Sequence, residues 1–123
     1  MAYAYDDANI FAMILRGDIP NNTVAETELT LAFRDINPQA PVHILLIPKG
    51  KYVTADDFAA NAKAEEIADF WRVFAGVISA EGLGAEGDGY RVISNAGEHG
   101  LQDVPHFHLH LLAGHRLGPL LAR

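Results

Sequence analysis

A chain of 123 residues has room for one hydrophobic core, and half of its residues are hydrophobic, enough to build that core. A formal net charge of −7 speaks against a nucleic-acid polymer as partner, because phosphate-backbone binding is driven by Lys and Arg. The absence of cysteine excludes disulfides, thiol nucleophiles and cysteine-ligated zinc, and suits a reducing cytoplasm.

The N-terminal residues lack the basic and apolar regions of a secretory signal. No apolar run approaches the roughly 20 residues that cross a bilayer, so a cytoplasmic location and no membrane partner are expected. In residues 9–16, Ile10, Phe11, Ile14 and Leu15 have the spacing of a short helix with one apolar side. Gly17-Asp18-Ile19-Pro20 ends it. Residues 24–26 and 29–34 read as two strands joined by a short turn, and the proline-containing run 35–41 as a loop. The nearly continuous apolar run 42–48 predicts a central strand buried on both faces. Residues 61–81 predict the long helix, with Ile67, Phe70, Trp71, Phe74, Val77 and Ile78 as its apolar stripe and Gly82 as its stop. Residues 90–95 and 106–113 supply the last strands, separated by a glycine-containing turn at 96–105. The sum is one α+β domain over residues 1–123, with about five strands in a mostly antiparallel sheet, one short helix and one long helix.

His106-Phe107-His108-Leu109-His110 places three imidazoles at two-residue spacing. Alternate strand residues point to opposite faces, so the histidines share one face and Phe107, Leu109 and Leu111 turn to the core. Three readings compete. Solvent-facing strand histidines need no joint role. A metal site needs help from His43 or Asp103, because the outer pair of histidines lies about 13 Å apart along a straight strand. Nucleophilic catalysis on a phosphate ester or amide uses the central His108, since neutral imidazole attacks phosphorus near pH 7 and the N–P intermediate is hydrolysable. His99 and His115 lie outside this pattern and are expected to be exposed.

The run, preceded by Gln102-x-Val104, resembles the signature of the histidine triad (HIT) superfamily. Ile10-Phe11 with Ile14, the block from Ala32 to His43, Gly89-Tyr90-Arg91, Asn95 and Leu117-Gly118-Pro119 resemble its Hint branch of purine nucleoside phosphoramidases, in the bacterial form. The resemblance implies the HIT α+β fold, a homodimer, and cleavage of AMP or GMP phosphoramidates through a nucleotidyl-histidine, with no cofactor and no metal. It implies His108 as nucleophile, His106 and His110 as its orienting or phosphate-contacting neighbours, and His43 as a relay on an adjacent strand. Ile10, Phe11, Ile14, Phe33 and Ile36 would form the purine slot and Asp35 would accept from the ribose hydroxyls, although Asp is also a common turn residue. Asn95, Gln102, Asp103 and Val104 complete the implied nucleotide site, Val104 through its backbone N–H. Two residues depart from the branch: Asp103 replaces a common Ser, and Pro105 a common Tyr. Val104-Pro105-His106 is closer to dinucleoside polyphosphate hydrolases, which stand as the alternative activity; a nucleotide-binding scaffold without turnover is the non-enzymatic alternative.

Overall fold

The computed structural model describes residues 3–122. Residues 1, 2 and 123, the ends of the expected domain span, lie outside the described residues. The first helix, α1 (Ile10–Leu15), begins where the Asn9 side chain accepts the Ala12 N–H at 2.9 Å and ends at Gly17, whose φ of +82° only glycine adopts freely. Five strands follow: β1 (Thr23–Glu26), β2 (Thr30–Arg34), β3 (Val42–Pro48), β4 (Arg91–Ile93) and β5 (Leu109–Ala113). They form one sheet in the order β1-β2-β3-β5-β4, with every neighbouring pair antiparallel.

Two helices lie between β3 and β4, α2 (Ala55–Asn61) and α3 (Ala64–Ala80). The sequence reading merged the end of the first with the second and missed the rest. Its signal was local rather than periodic: Thr54 caps the Asp57 N–H, and Asp56 and Asp57 favour the positive end of the first turn. Extended backbone at Ala62 and Lys63 then breaks the path, and Glu66 reaches back to the Lys63 N–H to start α3.

The central strand alternates between two cores, as the apolar run predicted. Ile44 and Leu46 join Ala32, Leu109, Leu111 and Ala113 against Phe70, Val73 and Val77 of α3 and Phe58 of α2. Phe107 closes this layer, stacked on Phe58 at 5.2 Å with the rings 26° apart. Each such buried ring contributes about 1.5–3 kcal/mol by leaving water. On the other face, Leu45 and Ile47 join Leu31, Phe33 and Phe11 in a smaller cluster. Six residues of α1 cannot cover a five-stranded sheet, so a slot stays open beside this cluster.

Candidate active site

Period-two alternation sends odd-numbered residues of β2 and β3, and even-numbered residues of β5, to the α1 side. The register sets Phe33 beside Leu45 and Leu45 beside His110, a line across three strands that floors the slot. His43 is the diagonal neighbour of His110, within reach of a long side chain. The resulting cleft of about 220 Å³ is apolar at one end, where Ile10, Phe11, Ile14, Phe33 and Ile36 line it. At the other end stand Asp35, Asp103, Val104, His108 and His110.

His108 is fixed by its own chain. Its Nδ1 lies 2.7 Å from the His106 carbonyl, which only accepts, so we assign the ring proton to Nδ1 and a lone pair to Nε2. Among the described residues Nε2 has no hydrogen-bond partner, and Asp103 Oδ1 lies 3.7 Å from it. Among the described residues no buried side-chain nitrogen or oxygen lacks a partner, so Nε2 reaches the open cleft.

His110 is set by a relay. The Gln39 N–H donates to His43 Nδ1 at 3.0 Å, which leaves the His43 proton on Nε2. Nε2 donates in turn to His110 Nδ1 at 2.9 Å, so the His110 proton sits on Nε2. Burial holds both imidazoles below their ordinary pKa, with Asp35 opposing the shift at each and the neighbouring histidines adding to it at His110. Asp35, His43 and His110 also offer ligand atoms within 4.8 Å of one another. The donor set does not fit a metal: the Gln39 N–H occupies His43 Nδ1, and a bound ion would need Nε2 stripped of the only ring proton.

Asp35 makes the bond of a turn residue and also stands at the cleft. Oδ1 accepts the Asn37 N–H at 2.8 Å, a turn-forming bond, while Oδ2 lies 3.5 Å from His43 Nε2 at the cleft edge.

Four expected site residues do not line the cleft. His106 shares the face of the other two histidines but is sealed: it is fully buried, with Nε2 on the Pro48 carbonyl at 2.8 Å and Nδ1 on the Tyr5 hydroxyl at 2.6 Å. Neither ring nitrogen is left to face the cleft, and β5 begins only at Leu109, so His106 precedes the strand expected to hold it. His43 stands behind His110. The Gln102 amide is consumed in bracing its loop, donating to the Val53 and Val104 carbonyls and accepting the Gly97 N–H. Asn95 follows the short β4, and the register pairing Ile93 with His110 carries the chain on toward His108.

The sequence reading missed Leu45, Ile19, Pro20 and Asn21, which also line the cleft. Leu45 reads as core, and Ile19-Pro20 as a helix stop; only the fold brings them beside α1.

The HIT domain family matches residues 16–117. A 13.2 kDa HIT-like protein of Azospirillum brasilense is 56% identical over 123 residues, all of this chain and 99% of its own. The purine nucleoside phosphoramidase of Escherichia coli is 45% identical over 116 residues, covering 94% of this chain and 95% of its own. A solved HIT family hydrolase from Legionella pneumophila superposes with a TM-score of 0.79 at 40% identity, over 89% of this chain and 95% of that one. The chain belongs to the HIT family, and its five-stranded antiparallel sheet with three helices is the HIT-like α+β fold.

Proposed function

We propose that this protein is a nucleotide hydrolase or transferase that cleaves purine nucleoside phosphoramidates of the AMP-NH-R type. The observation that carries this reading is the 2.7 Å bond from His108 Nδ1 to the His106 carbonyl, which leaves Nε2 as a lone pair open to the cleft. The relative from Escherichia coli, a purine nucleoside phosphoramidase by name, supports the substrate class.

In the proposed reaction the purine lies in the apolar end and the ribose hydroxyls meet Asp35. Nε2 forms a bond to the α-phosphorus as the P–N bond breaks, and the amine departs with a proton relayed from water near Asp103. The Nδ1–H···O=C bond steadies the positive charge on the nucleotidyl-imidazole, while His110 Nε2–H and the Val104 N–H hold the nonbridging oxygens. Water then attacks phosphorus and releases a proton that replaces the one the amine took, the N–P electron pair returns to Nε2, and AMP or GMP leaves. No metal takes part.

Val104-Pro105-His106 favours a second reading, hydrolysis of dinucleoside polyphosphates by the same His108. The ratio of kcat/KM for an adenosine phosphoramidate to that for a diadenosine polyphosphate separates the two. Mass spectrometry after mixing with an aminoacyl or alkylamino adenylate phosphoramidate tests the mechanism itself, and a +AMP adduct on His108 is expected. Nucleotide binding with no adduct and no turnover would point to a scaffold. Among the described residues no helix is long and apolar enough to cross a membrane. The location proposed is the cytoplasm, whose reducing conditions suit a chain without cysteine. A homodimer would cover the half-exposed Trp71 of α3; sedimentation of the purified protein checks this.

A further inference from the structure

His106 is the buried titratable group that the proposed reaction does not use. Its Nε2 faces the Pro48 carbonyl, which only accepts, so the ring proton sits on Nε2 and Nδ1 carries a lone pair. The Tyr5 hydroxyl, 2.6 Å from Nδ1, is therefore the donor. The two rings meet edge-on with centroids 5.5 Å apart. Burial pulls His106 down to about 4 and pushes the Tyr5 phenol upward, so both groups keep this one proton arrangement through the neutral range.

The consequence reaches the proposed nucleophile. The His106 carbonyl is the group that holds His108 Nδ1, and the Phe11 ring lies edge-on to both imidazoles, at 6.2 and 4.9 Å. A His106 ring tied at both nitrogens is held in one rotamer, and the peptide that carries its carbonyl is held beside it by the Phe107 N–H donating to the Tyr52 carbonyl at 2.7 Å. Tyr5 is itself pinned from outside the site: Lys51 lies 5.9 Å over its ring and pairs with Asp7 at 2.9 Å. The segment also ties down through Tyr3, which donates to Asp56 Oδ2 at 2.7 Å.

We propose that Tyr5 is a positioning residue, whose hydroxyl locks the plane and tautomer of His106 so that the His106 carbonyl aims His108 Nε2 into the cleft. The lock stands on its own geometry; its effect on turnover rests on the proposed role of His108.

The test is Tyr5→Phe, which keeps the ring and removes only the O–H, with Tyr3→Phe as the control on the same segment. Side-chain ¹⁵N NMR of the wild type should show His106 protonated at Nε2 and His108 at Nδ1. In Tyr5→Phe, the His106 Nδ1 signal should move toward that of a free imine nitrogen, and the Nδ1–H form of His108 should lose population. kcat on an adenosine phosphoramidate should fall about tenfold with KM little changed, as expected when a reacting group is slightly misaimed. Tyr3→Phe should change neither the spectra nor kcat. A wild-type His106 protonated at Nδ1 overturns the lock even if the variant fails to fold, as do unchanged His106 and His108 signals in Tyr5→Phe. Altered signals with an unchanged kcat overturn the positioning role. A wild type without phosphoramidase turnover sinks the proposed function instead, and the His106 spectra still decide the lock.

Discussion

Phe107 and His108 share a peptide bond and serve different halves of the molecule. Their exposures, 4% and 3%, are nearly the same, so burial does not tell them apart. Their partners do. The Phe107 ring completes a triangle with Phe58 and Phe70, where only shape and dispersion matter. His108 has one nitrogen satisfied by backbone and the other left over, facing the cleft. His106, two residues earlier, is as buried and as polar, yet both of its nitrogens are taken. A buried histidine with an unpaired nitrogen is a candidate for chemistry, and one with two paired nitrogens is a structural element.

Substitutions at the two neighbours should therefore fail in opposite ways. His108→Ala should lower kcat/KM for an adenosine phosphoramidate by at least about 10³-fold and abolish the AMP adduct, with a thermal midpoint close to wild type. Phe107→Ala should cost about 3–5 kcal/mol of stability in denaturant titrations, because the cavity left beside Phe58 and Phe70 cannot fully collapse against the packed sheet. Phe107→Ala protein that remains folded at low temperature should still form the adduct. Activity loss in Phe107→Ala without loss of stability would break the division between the two faces.

The division itself was legible in the sequence. Two-residue periodicity in 106–113 and the unbroken apolar run 42–48 dictate which side chains meet which layer, and the register needed only the strands to pair. The site was legible where it is made of strand residues and the first helix. It was not legible where loops decide: nothing in the composition of residues 3–9 announces that Tyr5 will lie on His106. Gln102 looked like a ligand-binding side chain because its motif position is shared with the family, while its amide is spent on two bonds within its own loop and a third that exists only once Val53 is brought near. Helix α2 was hidden because its amphipathic side is essentially one residue, Phe58, too little for a periodic signal.

Acid should unfold the protein through its interior histidines rather than through its carboxylates alone. The unfolded chain takes up a proton on His106 near pH 6.5, and the folded protein only near 4. Between those values the unfolded state binds more protons, so the stability is intact above pH 6.5 and drains away as the pH falls toward 4. At about 1.4 kcal/mol per pH unit, the two and a half units amount to about 3 kcal/mol. His43 and His110, also held low by burial, add to the loss in the same direction. Urea titrations from pH 7 to 4 should show this, and a His106→Gln variant should show a shallower slope. An equally steep slope in that variant would move the acid sensitivity away from the sealed end of the run.

The smallest effect is expected at Asp103, which stands at the open end of the run where the family resemblance leads one to expect Ser. Its side chain is 76% exposed, and Oδ1 lies 3.7 Å from His108 Nε2. A carboxylate beside an incoming phosphate repels it unless a proton or a cationic group intervenes. A leaving amine supplies such a group as it gains its proton. Asp103→Asn removes the charge and keeps the shape, so it should slow phosphoramidate cleavage by about tenfold, less than the 10²–10⁴ of a rigidly held acid–base group because the side chain is mobile in solvent. The loss should appear in kcat and grow with the basicity of the leaving amine, since a more basic amine depends more on the proton delivered to it. For an adenylate ester with an alcohol as leaving group, the same substitution should relieve repulsion and leave kcat/KM equal or higher. Unchanged kcat and KM on the phosphoramidate would separate Asp103 from the chemistry and leave His108 served by His110 and its own backbone alone.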